Sequence, residues 1–231
     1  LVRVIADLHN SGKEIIIVSS GAVGLGASKL GLSSKPTDTP TKQAAAAVGQ
    51  CELMYIYDGL FDDYNVTVAQ ILLTKTIIEN ERRKNVENTF ERLLSMGVIP
   101  IVNENDTVAI DELELEIGEN DSLSAIVATI AKAELLIILS DIDGLYDSDP
   151  HKSNTAAFIP VVTEITSDIE KIAGGAGSTF GTGGMATEIN AAKIANEAGI
   201  DMIVMNGNNP NLLYDLFENK SIGTIFLANK K

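Results

Sequence analysis

The chain has 231 residues, 45% of them apolar and 5% aromatic, and its 32 acidic against 17 basic side chains give a net charge of −15. This composition excludes a disordered chain, and the length suits one large domain, which we predict to span residues 1–231. The acidic surface argues against nucleic acid or a membrane as a partner, although backbone amides can still form a local anion site. Because Cys51 is the only cysteine, no internal disulfide can form, and we expect a reducing, cytoplasmic location.

Strand-like and helix-like segments alternate along the whole chain. Strands are predicted for the short apolar or β-branched runs Ile15–Val18, Val66–Leu72, Val98–Val102, Leu135–Leu139, Met202–Met205 and Gly223–Leu227. Helices are predicted for the longer amphipathic segments Lys42–Asp58, Glu79–Ser95, Asp121–Ala133 and Ala186–Ala198, the last of them capped by Gly199. The run Leu135–Leu139 is apolar throughout, which is typical of a fully buried central strand. The alternation predicts an α/β protein with a mostly parallel sheet covered by helices.

Small or polar residues follow several of the predicted strands. They are Ser19–Gly21, Asn103–Asp106, Ser140–Asp141 and Asn206–Gly207. In open α/β sheets a ligand binds beyond the carboxyl ends of the strands, where loops and helix N-termini converge. Turn chemistry alone explains any single one of these groups. Taken together, they predict a ligand site.

Two of the glycine-containing segments could bind an anion. Ser20 and Gly21 precede a helix, where free backbone amides and a hydroxyl could hold a negative group, although Ser20 could equally be a simple helix cap. The segment Gly181–Thr187 also precedes a helix, and its glycines allow a phosphate to approach the backbone closely. It matches neither the P-loop nor the dinucleotide fingerprint.

Acidic and amide side chains supply a second kind of candidate. Asp106 and the pair Asn120–Asp121 could hold an amine or organise a metal-phosphate cluster, whereas the alternative for Asp121 is to be the N-cap of the following helix. Other conspicuous residues have ordinary expected places: His9 and His151 at the surface or in loops, Cys51 and the five methionines in the core, and Asp111–Glu116 on a solvated strand edge.

Several motifs occur in one order along the chain. They are Val18–Val23, Lys42–Gln43 with Ala46–Gln50, Gln70–Thr74, Asn103–Asp106, Gly118–Ala125, Leu139–Tyr146 and Gly181–Met185. Together they resemble the amino acid kinase family over essentially the whole chain. Asn103–Asp106 and Gly118–Asp121 resemble the branch that phosphorylates glutamate, and not the acetylglutamate kinases, aspartokinases or uridylate kinases. The resemblance implies a three-layer α/β/α sandwich with a mostly parallel central sheet.

The resemblance also implies an activity, namely transfer of the γ-phosphate of ATP, with Mg²⁺, to the side-chain carboxylate of L-glutamate, the first step of proline biosynthesis. Residues matching Ser20, Asp106 and Asn120 hold glutamate in that family, and the residue matching Asp121 organises catalysis. The implied nucleotide contacts are Ser140, Asp141, Thr182, Gly183, Gly184, Met185, Ala186 and Thr187. The family further implies a homo-oligomer, a dimer or a tetramer, that proline inhibits.

The chain departs from the family pattern in ways that keep an alternative open. The pattern opens with a strand that carries a lysine and a Gly-Ser turn, and we expect this chain to lack that strand and to have no C-terminal accessory domain. The nucleotide loop of the pattern ends in a lysine, where this chain has Glu188. The alternative is therefore a catalytically silent member that senses glutamate or proline. A dinucleotide-dependent oxidoreductase is disfavoured because the fingerprint is missing.

Overall fold

The computed structural model describes residues 1–74, 82–108, 120–148, 156–175 and 184–228. In chain order, their helices and strands are α1 (Val2–Asn10), β1 (Ile17–Val18), α2 (Ala22–Lys29), α3 (Thr39–Asp62), β2 (Val68–Leu73), α4 (Arg83–Ser95), β3 (Ile99–Glu104), α5 (Asn120–Ala131), β4 (Leu135–Ser140), β5 (Val161–Val162), α6 (Ser167–Gly175), α7 (Met185–Glu197), β6 (Asp201–Asn206), α8 (Leu212–Phe217) and β7 (Thr224–Phe226). The chain divides into two compact units, Leu1–Asn120 and Asp121–Lys231.

The sheet of the first unit is parallel, with β3 between β1 and β2. Its apolar residues Ile99 and Ile101 are fully buried and pack with Phe61 of α3 in the core of the unit. Because parallel strands all end at one edge, the segments that follow β1 and β3 emerge on the same side. The Ser19 backbone N–H, which donates to the Val102 carbonyl at 2.9 Å, extends the β1–β3 pairing to that edge.

Helices α2 and α3 cross at two glycines. A Cβ atom added to Gly26 would lie 1.8 Å from the Ala45 carbonyl oxygen, and one added to Gly49 would lie 1.7 Å from the Ala22 carbonyl oxygen. Both distances are far below van der Waals contact, so only glycine permits this approach of the two backbones. The crossing fixes the position of α3, which carries Gln50 directly after Gly49.

The long helix α3 begins earlier than the sequence pattern predicts, at Thr39 and not at Lys42. The reason is its cap: the Asp38 side chain accepts a hydrogen bond from the Thr41 backbone N–H at 3.0 Å, and Pro40 lies in the first turn, where it costs no hydrogen bond. A hydrogen bond from the Thr41 side chain and this backbone hydrogen bond together lower the pKa of Asp38. The periodicity of the apolar residues does not register such a polar first turn.

The sheet of the second unit has the strand order β4, β6, β7, β5 among its described residues. β4 pairs with β6 and β5 with β7 in parallel, whereas β6 and β7 are antiparallel. The prediction of a fully buried central strand at Leu135–Leu139 is wrong: β4 stands at one end of this order, and Leu139 is 38% exposed. β6 is the buried strand, with Met202 and Met205 fully enclosed.

The α/β class with mostly parallel sheets is confirmed, and Gly199 follows α7 with φ at 80°, as expected of a C-terminal cap. The expectation for Cys51 and Met96 is wrong, because both are exposed. Some sequence expectations lie outside the described residues, among them His151, the edge strand Asp111–Glu116 and the start of the helix predicted at Glu79. Within the described ranges, every helix is too short or too polar to cross a membrane.

Candidate active site

Ser20 lies directly after β1, at the N-terminus of α2. The N-cap of α2 is Gly21, with φ at 103°, and no side chain caps the helix. The simple-cap alternative for Ser20 is therefore wrong. Its side chain is exposed next to the first backbone N–H groups of α2, which no capping side chain of the described residues engages, and this arrangement suits a carboxylate. The preceding Ser19 is buried, and its hydroxyl lies 2.9 Å from the Tyr57 hydroxyl.

Asp106 follows β3 in the first unit. The Asn105 backbone N–H donates to the Leu73 carbonyl at 2.8 Å, which ties this segment to the end of β2. Asp106 is half-buried, and burial raises the pKa of its carboxyl group. Such a carboxylate gains from a cationic partner, because an ammonium group restores the charge stabilisation that burial removes.

Asn103, one of the polar residues singled out at the predicted strand ends, forms a buried amide pair with Gln50, to which sequence reasoning gave no role. Asn103, at the end of β3, donates from Nδ2 to Oε1 of Gln50 on α3 at 3.0 Å. Gln50 and Asp106 both line a small cleft. The two partners are far apart in the sequence. The signals available for Gln50 were a polar residue among the buried apolar residues of a helix and its place in the motif Ala46–Gln50.

Asp121 and Thr187 are hydrogen-bonded to each other in the second unit. The Thr187 hydroxyl donates to Oδ2 of Asp121 at 2.7 Å and lies 3.1 Å from the Gly184 backbone nitrogen, which donates to it. Helix α5 begins at Asn120, so Asp121 lies inside the first turn and the N-cap alternative for it is wrong. The structure thus joins the residue expected to organise catalysis to the helix expected to hold the nucleotide.

The N-terminal turn of α7 carries the described part of the expected nucleotide loop. Gly184 is its N-cap in an extended conformation, followed by Met185, Ala186 and Thr187. A helix N-terminus of this kind favours negative groups such as phosphates. Thr182 and Gly183, which the resemblance also assigns to the nucleotide, lie outside the described residues.

Glu188 lies in the same turn and is 94% buried, since only 6% of its surface is exposed. Burial raises the pKa of its carboxyl group to about 7, with smaller upward contributions from Asp121 and Asp141, while a hydrogen bond from the Ser140 hydroxyl opposes them. Its Oε2 atom has no hydrogen-bond partner among the described residues. None of the groups that shift this pKa is a cation.

Lys193 does not replace the lysine that the family pattern has at position 188. Its ammonium group pairs with the Glu170 carboxylate at 2.6 Å. It also lies eight residues beyond the start of α7, about 12 Å along the helix axis. The charge of Lys193 therefore serves an ion pair far from the first turn.

The carboxyl ends of β4 and β6 are tied together by a second polar network that sequence reasoning missed. Asn206 donates from Nδ2 to Oδ1 of Asp143 at 2.8 Å, and its Oδ1 accepts from the Asn208 backbone N–H at 2.9 Å. The Gly207 N–H donates to the Ser140 carbonyl at 2.8 Å. These bonds fix the segment that carries Ser140 and Asp141. Across the parts of the chain that the structure describes, no three His, Cys, Asp or Glu side chains are grouped to hold a metal ion.

Comparison with known protein families identifies the family of this chain. The model of the amino acid kinase family matches residues 1–206. The chain belongs to the amino acid kinase family. Two solved structures share the fold of this amino acid kinase. Carbamate kinase from Giardia lamblia bound to AMP-PNP has a TM-score of 0.67 and 13% identity, and the match covers 99% of this chain and 88% of the other. An isopentenyl phosphate kinase substrate complex has a TM-score of 0.65 and 16% identity, and the match covers 97% of this chain and 88% of the other.

Curated relatives of this amino acid kinase are much closer in sequence. Glutamate 5-kinase of Clostridium perfringens is 56% identical over 233 residues, covering 100% of this chain and 87% of the relative. Glutamate 5-kinase of Clostridium tetani is 54% identical over 231 residues, covering 100% of this chain and 86% of the relative. Glutamate 5-kinase of Listeria welshimeri is 51% identical over 234 residues, covering 100% and 84%. The sequence resemblance to the glutamate-phosphorylating branch is confirmed.

Proposed function

We propose that this chain is a glutamate 5-kinase, which transfers the γ-phosphate of ATP to the side-chain carboxylate of L-glutamate and forms L-glutamyl 5-phosphate. The observation that carries the proposal is the 56% identity with a glutamate 5-kinase over the full length of this chain. The described geometry supports it, because the first unit offers groups for an amino acid and the second offers groups for a nucleotide.

The first unit supplies the contacts for glutamate in this proposal. Asp106 is a half-buried carboxylate that would pair with the ammonium group. The Ser20 hydroxyl and the amides that begin α2 would donate to a carboxylate. Asn120 carries an amide at the start of α5 and would donate a further hydrogen bond.

The second unit supplies the nucleotide contacts and the organising carboxylate. Ser140 and Asp141 would meet the nucleotide at the end of β4, and the turn Gly184–Thr187 would meet the phosphates. Thr187 holds Asp121 in place through the 2.7 Å hydrogen bond. The family resemblance assigns Thr182 and Gly183 to the nucleotide as well.

In the reaction, a side-chain carboxylate oxygen of glutamate forms a bond to the γ-phosphorus. The bond between this phosphorus and the oxygen that bridges to the β-phosphate breaks, and ADP leaves with the electron pair. Phosphoryl transfer asks the protein mainly to position the reactants and to neutralise charge. Mg²⁺ would neutralise phosphate charge when bound with ATP. The carboxylate of Asp141, which follows β4, is a ligand of the type that Mg²⁺ prefers.

Three finer parts of the proposal have other grounds. A homo-oligomer and inhibition by proline rest on the family resemblance, and a cytoplasmic location rests on the single cysteine. Proline shares the ammonium and α-carboxylate groups of glutamate, so Asp106 could hold both molecules. Proline has no side-chain carboxylate to accept a phosphoryl group, so it would occupy the site without reacting.

The substitution Asp106→Asn tests the proposal. It removes the negative charge that pairs with the substrate ammonium group, and we expect the KM for glutamate to rise roughly 10- to 100-fold. The KM for ATP should stay within about twofold, because loss of one binding contact raises only the KM of the ligand concerned. Steady-state kinetics with either substrate varied measures both.

Asp63→Asn is the matched control, since Asp63 is exposed just after α3. It should change neither KM. An Asp106→Asn enzyme with an unchanged KM for glutamate would contradict the assignment of Asp106 to the substrate ammonium group. Equal losses for both substrates would indicate that the substitution disturbs the whole fold.

A further inference from the structure

Gln50 is a buried side chain with an unused donor. Only 7% of its surface is exposed, and its Nε2 atom has no hydrogen-bond partner among the described residues. A buried amide donor without a partner is costly, and native proteins rarely leave one unpaired. The described residues therefore leave the Nε2 group open to a ligand or a water molecule.

The orientation of the Gln50 amide follows from its neighbours. The Glu104 backbone N–H donates to Oδ1 of Asn103 at 2.9 Å, so the Asn103 side chain must turn its Nδ2 donor the other way. That donor meets Oε1 of Gln50 at 3.0 Å. Because this bond occupies the acceptor end of the Gln50 amide, the free end is the Nε2 donor.

Gln50, which carries the free donor, lines the same small cleft as Asp106. The cleft lining combines the amide of Gln50 with the carboxylates of Asp106 and Glu104. A donor and a carboxylate complement the α-carboxylate and the ammonium group of an amino acid. These two groups of an amino acid are attached to one carbon atom, so a substrate whose α-carboxylate reaches Gln50 also brings its ammonium group toward Asp106. The free volume of about 10 Å³ admits about one water molecule or one small polar group, not a whole side chain.

We propose that Gln50 is a substrate-binding residue whose Nε2 group donates a hydrogen bond to the α-carboxylate of the amino acid substrate. This assignment rests on the proposed function and adds a recognition residue to it. Asn103 is then a positioning residue, because it turns the donor of Gln50 toward the substrate.

The test is the dissociation constant of L-glutamate, measured by calorimetry on the wild-type protein and on Gln50→Met. Methionine has a similar length but no donor. Losing a hydrogen bond to a charged group should weaken glutamate binding roughly 10- to 100-fold. Gln70→Met, at an exposed position on β2, is the matched control and should bind glutamate like the wild type. Because calorimetry measures binding, the test does not depend on the rate of turnover.

A second ligand shows which substrate group Gln50 contacts. 4-Aminobutyrate has the ammonium group and the side-chain carboxylate of glutamate but lacks the α-carboxylate. Its affinity should be the same for the wild type and for Gln50→Met. If the methionine variant does not fold, Gln50→Glu keeps the acceptor for Asn103 and replaces the donor by an oxygen, and it should lose at least as much glutamate affinity.

The outcomes separate this assignment from the proposed function. A wild-type protein that binds no glutamate would contradict the proposed function, and the role of Gln50 with it. A wild type that binds glutamate, together with a Gln50→Met variant that binds it within twofold as tightly, would overturn the assignment alone and leave water as the partner of Nε2. An equal loss for glutamate and 4-aminobutyrate would overturn the contact with the α-carboxylate.

Discussion

Glu188 places a carboxyl group inside the second unit, next to the acidic side chains of Asp121 and Asp141. Its pKa of about 7 means that it holds a proton over a pH range where an exposed glutamate is ionised. Burial is the main cause, because the charged form loses its hydration, and the described groups that shift this pKa include no cation. In the family pattern this position is a lysine, whose positive charge would face the same two aspartates.

The raised pKa of Glu188 predicts how stability depends on pH. Below about pH 4.5, the ordinary value, the group is protonated in the folded and the unfolded chain. Between pH 4.5 and 7 the unfolded chain releases the proton and the folded chain retains it, so the free energy of unfolding falls as pH rises. The shift corresponds to a loss of about 3 kcal/mol above pH 7.

Glu188→Gln should therefore be more stable than the wild type at pH 8 and nearly equal to it near pH 4.5. Urea denaturation at the two pH values measures the difference. Glu197→Gln, the same substitution at an exposed position of α7, should show no such pH-dependent gain. If the free energy of unfolding changes with pH by the same amount in the wild type and in Glu188→Gln, Glu188 is not the group that retains the proton.

Individual residues differ in how far the sequence could predict them. Ser20, Asp106 and Ser140 follow strands, and the rule that ligands bind at the carboxyl ends of parallel strands is enough to single them out. The pair Gln50–Asn103 and the bond from Asn206 to Asp143 join residues distant in the chain. Such pairs depend on how helices and strands pack, which no local pattern records.

At the scale of elements, the crossing of α2 and α3 depends on two glycines. Gly49→Ala would place a methyl group 1.7 Å from the Ala22 carbonyl oxygen, and the backbones would have to separate. Overpacking of this kind costs about 1–3 kcal/mol, and more where the obstacle is backbone. We expect Gly49→Ala to lower the free energy of unfolding by about 3 kcal/mol and to weaken glutamate binding, because Gln50 moves with α3.

Gly59→Ala is the control within the same helix. A Cβ atom there meets nothing within 4 Å. Alanine favours helix over glycine by about 1 kcal/mol, so this variant should be as stable as the wild type or more stable. Chemical denaturation of both variants measures the contrast. If the two variants have equal stability, the glycine crossing is not what holds α2 against α3.

The sequence predicted the alternation of strands and helices because apolar periodicity determines it locally. The prediction that β4 is a fully buried central strand was wrong. An apolar run indicates that a strand is mostly buried, but it does not give the position of the strand in the sheet. The sequence pattern also placed the start of α3 too late, because the capping Asp38 and Pro40 are polar turn residues outside the periodic segment. Strand order and capped first turns arise from contacts that periodicity does not contain.

At the scale of the whole molecule, fold and function rest on different comparisons. The carbamate and isopentenyl phosphate kinases share the fold at 13% and 16% identity but act on other substrates by name. The glutamate 5-kinases share 51–56% of the sequence over the full chain. Glutamate specificity is therefore the central claim, and Asp106 is the residue that should impose it through the free ammonium group.

The most direct test compares L-glutamate with N-acetyl-L-glutamate as phosphoryl acceptors from ATP, with the acyl phosphate trapped by hydroxylamine and measured as the hydroxamate. Acetylation removes the positive charge that Asp106 is expected to bind, so kcat/KM for N-acetylglutamate should be lower by roughly two orders of magnitude or more. Equal kcat/KM values for the two acceptors, or glutamate binding without any hydroxamate, would contradict the account, and the second result would favour the silent sensor.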